Sequence, residues 1–164
     1  MLAQASCLQV DVLNNTILCI YRSPSNTNVD SFIDSLSSHL DTLASQKTII
    51  IAGDININIR PKPVEQSYEH NNRTNYLNML SVYGILPGHV LPTRVESCLD
   101  HFMLKFNKSK LLAFVAVLET TITDHFTTFL SLSKQKTTRI PVKTKIVIDY
   151  DSAIKYLQNK NLPK

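Results

Sequence analysis

The stretch IIIAGDININIRP, Ile49–Pro61, opens as a continuous β-branched run and closes on Gly53, Asp54 and Asn56. A run without polar alternation has no solvent face, so KTIIIAGD, residues 47–54, reads as a strand buried on both sides and flanked by helices or a second sheet. Gly-Asp at its end fits a turn, because Asp accepts local backbone hydrogen bonds there. A turn is the usual reading; the alternative is a group presented at the edge of a sheet, where the ends of neighbouring strands build pockets. The surrounding sequence bears on which reading holds.

Upstream, SCLQVDV (6–12) and TILCIY (16–21) are β-rich runs separated by LNN, a hairpin of two strands. After the turn RSPSNTN, Thr27 and Asp30 stand in capping-box spacing, and Val29, Phe32, Ile33, Leu36, Leu40 and Leu43 recur at three and four residues, predicting an amphipathic helix. Downstream, IRPKPVEQSYEHNN (59–72) is polar and proline-bearing and reads as a loop. A shorter helical pattern follows on Tyr76, Leu77, Leu80 and Tyr83, ended by Gly84. SCLDHFML, LLAFVAVLE and TTFLSLS are three further strands, the last two separated by TTITDH. The class is α/β with more strands than helices. Beyond residue 133 there is one weak strand, KIVID, and a short helix at Ser152 to Gln158.

With 164 residues, 43% hydrophobic and 18% charged, the chain can bury the core of one globular domain. No apolar run reaches the length of a membrane span, and the start lacks the features of a signal peptide, so a soluble intracellular protein without membrane contact is expected. Cys7, Cys19 and Cys98 are scattered, and read as reduced core thiols on strands rather than zinc ligands. The formal charge of +4 is unevenly spread: residues 1–130 carry a net −2 and residues 131–164 a net +6. The basic excess therefore belongs to SKQKTTRIPVKTK and its surroundings, a solvated linker or a segment that rests on nucleic acid.

Seven polar residues sit at the ends of apolar runs: Tyr21, Asp54, Asn56, Asp100, His101, Asp124 and His125. Strands of one sheet bring such ends together. Carboxylates with amide and imidazole neighbours suit a hard cation such as Mg²⁺ or Mn²⁺. Such an ion neutralises phosphate charge while a carboxylate orients or deprotonates water. Taken singly, each residue is more ordinary: Asn56 a turn residue, Tyr21 a half-buried aromatic, His101 and His125 structural.

The order of five segments, IYRSPS, IIIAGDININI, NYLNMLSVYGI, PTRVESCLDHFML and ITDHF, resembles the endonuclease/exonuclease/phosphatase superfamily, and in particular the endonuclease domain of non-LTR (LINE-type) retrotransposons. The resemblance covers about residues 5–132, and rests on GD-x-N, S-x-x-DH and a final [ST]-DH. Ile55 stands where the family often has Phe, and Thr123 where Ser usually precedes Asp-His. The resemblance implies that Tyr21 contacts the scissile phosphate, Asp54 positions or activates water and Asn56 holds the phosphate. It implies that Asp124 contributes to the metal site and that His125 binds a phosphate oxygen, with Asp100 accepting from its other ring nitrogen. Arg94 is a weaker candidate for DNA contact, and His101 carries no catalytic role.

The fold implied is the C-terminal half of a two-sheet α/β sandwich: residues 1–132 form a partial domain and 133–164 a basic linker or tail. Family members carry an N-terminal Asn and a metal-binding Glu that this sequence lacks upstream of Tyr21, where Asp11 is the one acidic residue. The resemblance therefore implies a truncated endonuclease. Its parent activity is Mg²⁺-dependent nicking of DNA, in the nucleus by family role, weak or absent in this chain. An apolar sheet face left uncovered would invite self-association. The alternative is a non-catalytic remnant that binds nucleic acid or a protein.

Overall fold

The computed structural model describes residues 5–12, 15–61, 67–106 and 111–134. The KIVID strand, the Ser152–Gln158 helix and nearly all of the basic tail lie outside these residues. Strand β1, Ala5–Val12, pairs antiparallel with β2, Asn15–Arg22, as the hairpin reading requires. Helix α1, Val29–Thr42, then crosses to β3, Thr48–Asp54, which lies parallel to β2. The helix is capped by Asn28, whose side chain accepts the Ser31 N–H at 3.0 Å, rather than by the predicted Thr27. Its apolar stripe, Val29, Phe32, Ile33, Leu36 and Leu40, is buried as the spacing predicts.

Helix α2, Ser67–Val82, begins inside the segment read as loop. Its first turns are polar and largely exposed and bury little, so hydrophobic periodicity picks out only the packed half around Tyr76 and Leu80. A two-residue strand, β4 (Leu86–Pro87), has no counterpart in the sequence reading. It pairs with β5, Asp100–Lys105, which runs antiparallel to β3. The resulting mixed sheet has the order β1-β2-β3-β5-β4, and β6 (Leu111–Leu118) with β7 (Thr127–Lys134) makes a separate antiparallel pair.

Alternation along the strands divides the mixed sheet into two faces. Leu18, Ile20, Ile49, Ile51 and Met103 join the helices in one core. Ile50, Ala52, Phe102 and Leu104 point the other way, towards the β6–β7 pair; Val115 of β6 and Leu104 both approach Gly88. Thr48–Ile51 are accordingly buried on both sides, as the continuous apolar run predicts. The second sheet covers only part of this face. Leu8 and Val10 on β1 are 63% and 43% exposed, and Phe114 and Phe129 on the β6–β7 pair are more than half exposed. Of the three cysteines, all free, Cys98 is buried, but Cys7 and Cys19 lie exposed on the uncovered hairpin rather than in a core. Among the described residues no helix is long and apolar enough to cross a membrane.

Candidate functional site

The end of β3 is held where it is by a close approach of backbones. Gly53 has φ +132°, and a Cβ there would lie 2.1 Å from the Ile20 carbonyl oxygen, so no side chain fits. The next residue, Asp54, is directly opposite Asp100, the first residue of β5. Two carboxylates in cross-strand register repel each other and favour a cation between them. Burial, and then the Asp100 charge, push the Asp54 carboxyl above its ordinary range, against the opposing effects of the Asn56 N–H and His125.

His125 completes the group. Its Nδ1 donates to Asp100 Oδ2 at 2.9 Å, and both side chains are mostly shielded from solvent. One ligand atom from each of Asp54, Asp100 and His125 can be chosen so that all three lie within 4.8 Å of one another. Tyr21, itself exposed, lines a cleft of about 570 Å³ with Asp54, Leu8, Cys19, Phe102 and Thr128. Four of the predicted residues, from β2, β3, β5 and the loop before β7, therefore gather at one place.

Asn56 is beside them but differently engaged. It sits at φ +52°, its N–H donates to Asp54 Oδ1 at 3.2 Å, and its amide nitrogen donates to the Arg22 carbonyl at 2.8 Å. Arg22, 3% exposed, answers with Nε to the Ile55 carbonyl at 2.8 Å and Nη2 to the Asn56 carbonyl at 2.9 Å. This reciprocal clamp fixes the turn that presents Asp54. One amide hydrogen of Asn56 is thereby spent on structure, and one remains for a ligand.

Three of the residues singled out in the sequence stand apart. Asp124, expected at the metal site, is 65% exposed and pairs with Arg94 at 2.6 Å, outside the Asp54–Asp100–His125 group. Arg94 is correspondingly committed to a carboxylate rather than free. His101 is buried, and burial lowers its pKa from 6.5 to about 4. Its Nε2–H donates to the carbonyls of Ile57 (3.0 Å) and Cys98 (3.2 Å), and Tyr76 Oη donates to Nδ1. It is a neutral strut between the loop after β3 and the approach to β5.

The sequence reading missed Arg22 and Thr93. A charged residue at the fourth position of the inward series Thr16, Leu18, Ile20, Arg22 was the available signal for the first; Thr93 left none.

The donor set fits a hard cation in kind, with two carboxylates and an imidazole, and in charge, since a dication relieves the Asp54–Asp100 repulsion. In number it falls short: about six ligands are needed, so water and substrate oxygens would complete the shell.

The mixed sheet with two helices on one face and a second sheet on the other has the fold of part of the endonuclease/exonuclease/phosphatase type, as two solved structures show. The endonuclease domain of TRAS1, a telomere-specific non-LTR retrotransposon, is similar in structure with a TM-score of 0.56 and 13% identity, over 77% of this chain and 60% of that one. A 3′ phosphatase, NExo from Neisseria, solved with a product DNA hairpin, is similar with a TM-score of 0.54 and 14% identity, over 77% of this chain and 64% of that one. The chain thus spans under two thirds of either. No protein-family profile and no curated protein sequence matches it.

Proposed function

We propose that this chain carries part of a metal-dependent phosphodiesterase of the retrotransposon endonuclease type, acting on DNA in the nucleus. The observation that supports it most is the convergence of Asp54, Asp100 and His125, of which Asp54 also lines the cleft beside Tyr21. Asp54 and Asp100 would hold Mg²⁺ or Mn²⁺, which when bound supplies charge neutralisation at the phosphate. Asp54, opposite Asp100, would also accept a hydrogen bond from the attacking water and so orient it. Asp100 accepts from His125 Nδ1 and so directs Nε2, which in the protonated ring would donate to a phosphate oxygen. Asn56 and the exposed Tyr21 hydroxyl would hold the phosphodiester. With two carboxylates as its ligands among the described residues the ion would be held weakly, and turnover is expected to be slow.

The test is nicking of supercoiled plasmid with Mg²⁺ or Mn²⁺ by the natural chain, Asp54→Ala and His125→Ala. Slow nicking that disappears in both variants is expected. Nicking that persists equally in both would refute the assignment.

A second reading, a non-catalytic binding module, is favoured by a different observation: Leu8, Val10, Phe114 and Phe129 are exposed on sheet faces. Concentration-dependent sedimentation that is abolished by Leu8→Ser and Phe114→Ser, with nicking absent throughout, would favour it, with self-association as the first partner to examine.

A further inference from the structure

Thr93, on the connection between β4 and β5, is a polar residue with no exposed surface. Its side-chain Oγ1 accepts the N–H groups of Leu99 at 2.9 Å and Asp100 at 3.0 Å. Its carbonyl accepts the N–H of Phe126, the residue after His125, at 2.7 Å, and its own N–H donates to the Ser97 carbonyl at 2.8 Å. One residue therefore grips the main chain at Asp100 and the main chain next to His125.

We infer that Thr93 is a positioning residue, holding the Asp100 carboxylate and the His125 ring in hydrogen-bonding register from two different segments of the chain. His125 belongs to the connection before β7, where Thr121 to Asp124 are exposed. Two ties run from that connection to the residues around Thr93. The Arg94–Asp124 ion pair is one, but its side chains are 44% and 65% exposed, so water and salt weaken it. The Thr93–Phe126 hydrogen bond is the other, made by a residue without solvent contact, where an unmade bond is costly. The buried tie is the one that fixes His125. The Oγ1 contacts do the same for Asp100, because an N–H anchored at the first residue of β5 sets where its side chain leaves the strand.

The catalytic meaning of this role rests on the phosphodiesterase reading, but its main readout does not. In nitrogen–proton spectra of the imidazole groups, a His125 Nδ1–H donating to a carboxylate gives a strongly downfield proton that Asp100→Asn alters and thereby assigns. Thr93→Val removes the Oγ1 acceptor at nearly constant volume and keeps the carbonyl bonded to Phe126, so it perturbs the grip from the Asp100 side; Thr93→Ser restores the acceptor. The signal should be present in the natural chain and in T93S and lost in T93V. It should persist in Leu40→Ala, which destabilises α1 far from the site, and in Arg94→Ala, which cuts only the exposed ion pair.

A retained signal in T93V, or loss in L40A to the same degree, would overturn the inference. So would loss in R94A, and that arm stands even where T93V fails to fold. Where nicking is measurable, T93V should also lower kcat by about 10-fold with KM little changed, and T93S should recover it. Absence of nicking in every protein would remove the phosphodiesterase reading and leave the His125 signal to decide the role of Thr93.

Discussion

Lowering the pH from 8 to 5 should destabilise the fold through His101, and the size of the effect can be worked out. The ring is buried, its Nε2–H donates to two carbonyls, and its folded pKa is about 4 against an ordinary 6.5. Over the window between those values the unfolded chain binds a proton that the folded chain refuses, so stability is full above 6.5 and is lost as the pH falls towards 4. For these pKa values the loss is about 2 kcal/mol between pH 8 and pH 5, and about 3 kcal/mol once both are passed. Urea denaturation of the natural chain and of His101→Gln at matched pH isolates this contribution, because the carboxylates titrate alike in both. The natural chain should lose about 2 kcal/mol more than the variant over that range. Parallel curves for the two proteins would refute a neutral, buried His101. The consequence reaches the site, since His101 braces the Ile57 and Cys98 carbonyls, on either side of the residues that carry Asp54 and Asp100.

Three other perturbations follow from the same geometry. Asp54→Asn removes one of two facing carboxylates and should raise metal-free stability by about 0.5–1 kcal/mol while abolishing any Mn²⁺-dependent rise in Tm; a lower metal-free Tm would contradict the repulsion. Because the Asp54 carboxyl is raised, its own contribution has the opposite sign to that of His101, the metal-free fold gaining stability as this group protonates. Gly53→Ala should cost about 3 kcal/mol or more, read from urea midpoints, since its Cβ would meet the Ile20 carbonyl at 2.1 Å on a backbone of positive φ. Arg22→Lys should cost about 2–3 kcal/mol, because one ammonium cannot reproduce the guanidinium bonds to Ile55, Asn56 and Asn26; a loss below half a kcal/mol would show that the clamp is dispensable.

How much of this was legible in the sequence depended on whether a residue acts through burial pattern or through backbone hydrogen bonds. β3 was legible because a strand packed on both faces must be apolar throughout, and α1 because its buried stripe keeps helical spacing. The polar half of α2 buries little and left no such trace. Of the two Asp-His dipeptides each contributes only one member to the group; the sequence reading gave roles to Asp100 but not His101, and to both Asp124 and His125. In the first, strand alternation decides: Asp100 shares a face with Asp54, and His101 points to the opposite face, among the helix-packed core. In the second no period applies, because Asp124 and His125 lie in a connection. Arg94 draws Asp124 outward while Thr93 secures the backbone beside His125, so the choice is made by neighbours remote in sequence. Arg22 and Thr93 act almost wholly on main-chain atoms, which every residue possesses, and therefore no partner sequence advertises them. The groups that converge at the candidate site were readable from their type and order; the residues that hold them there became visible only with the register of the strands.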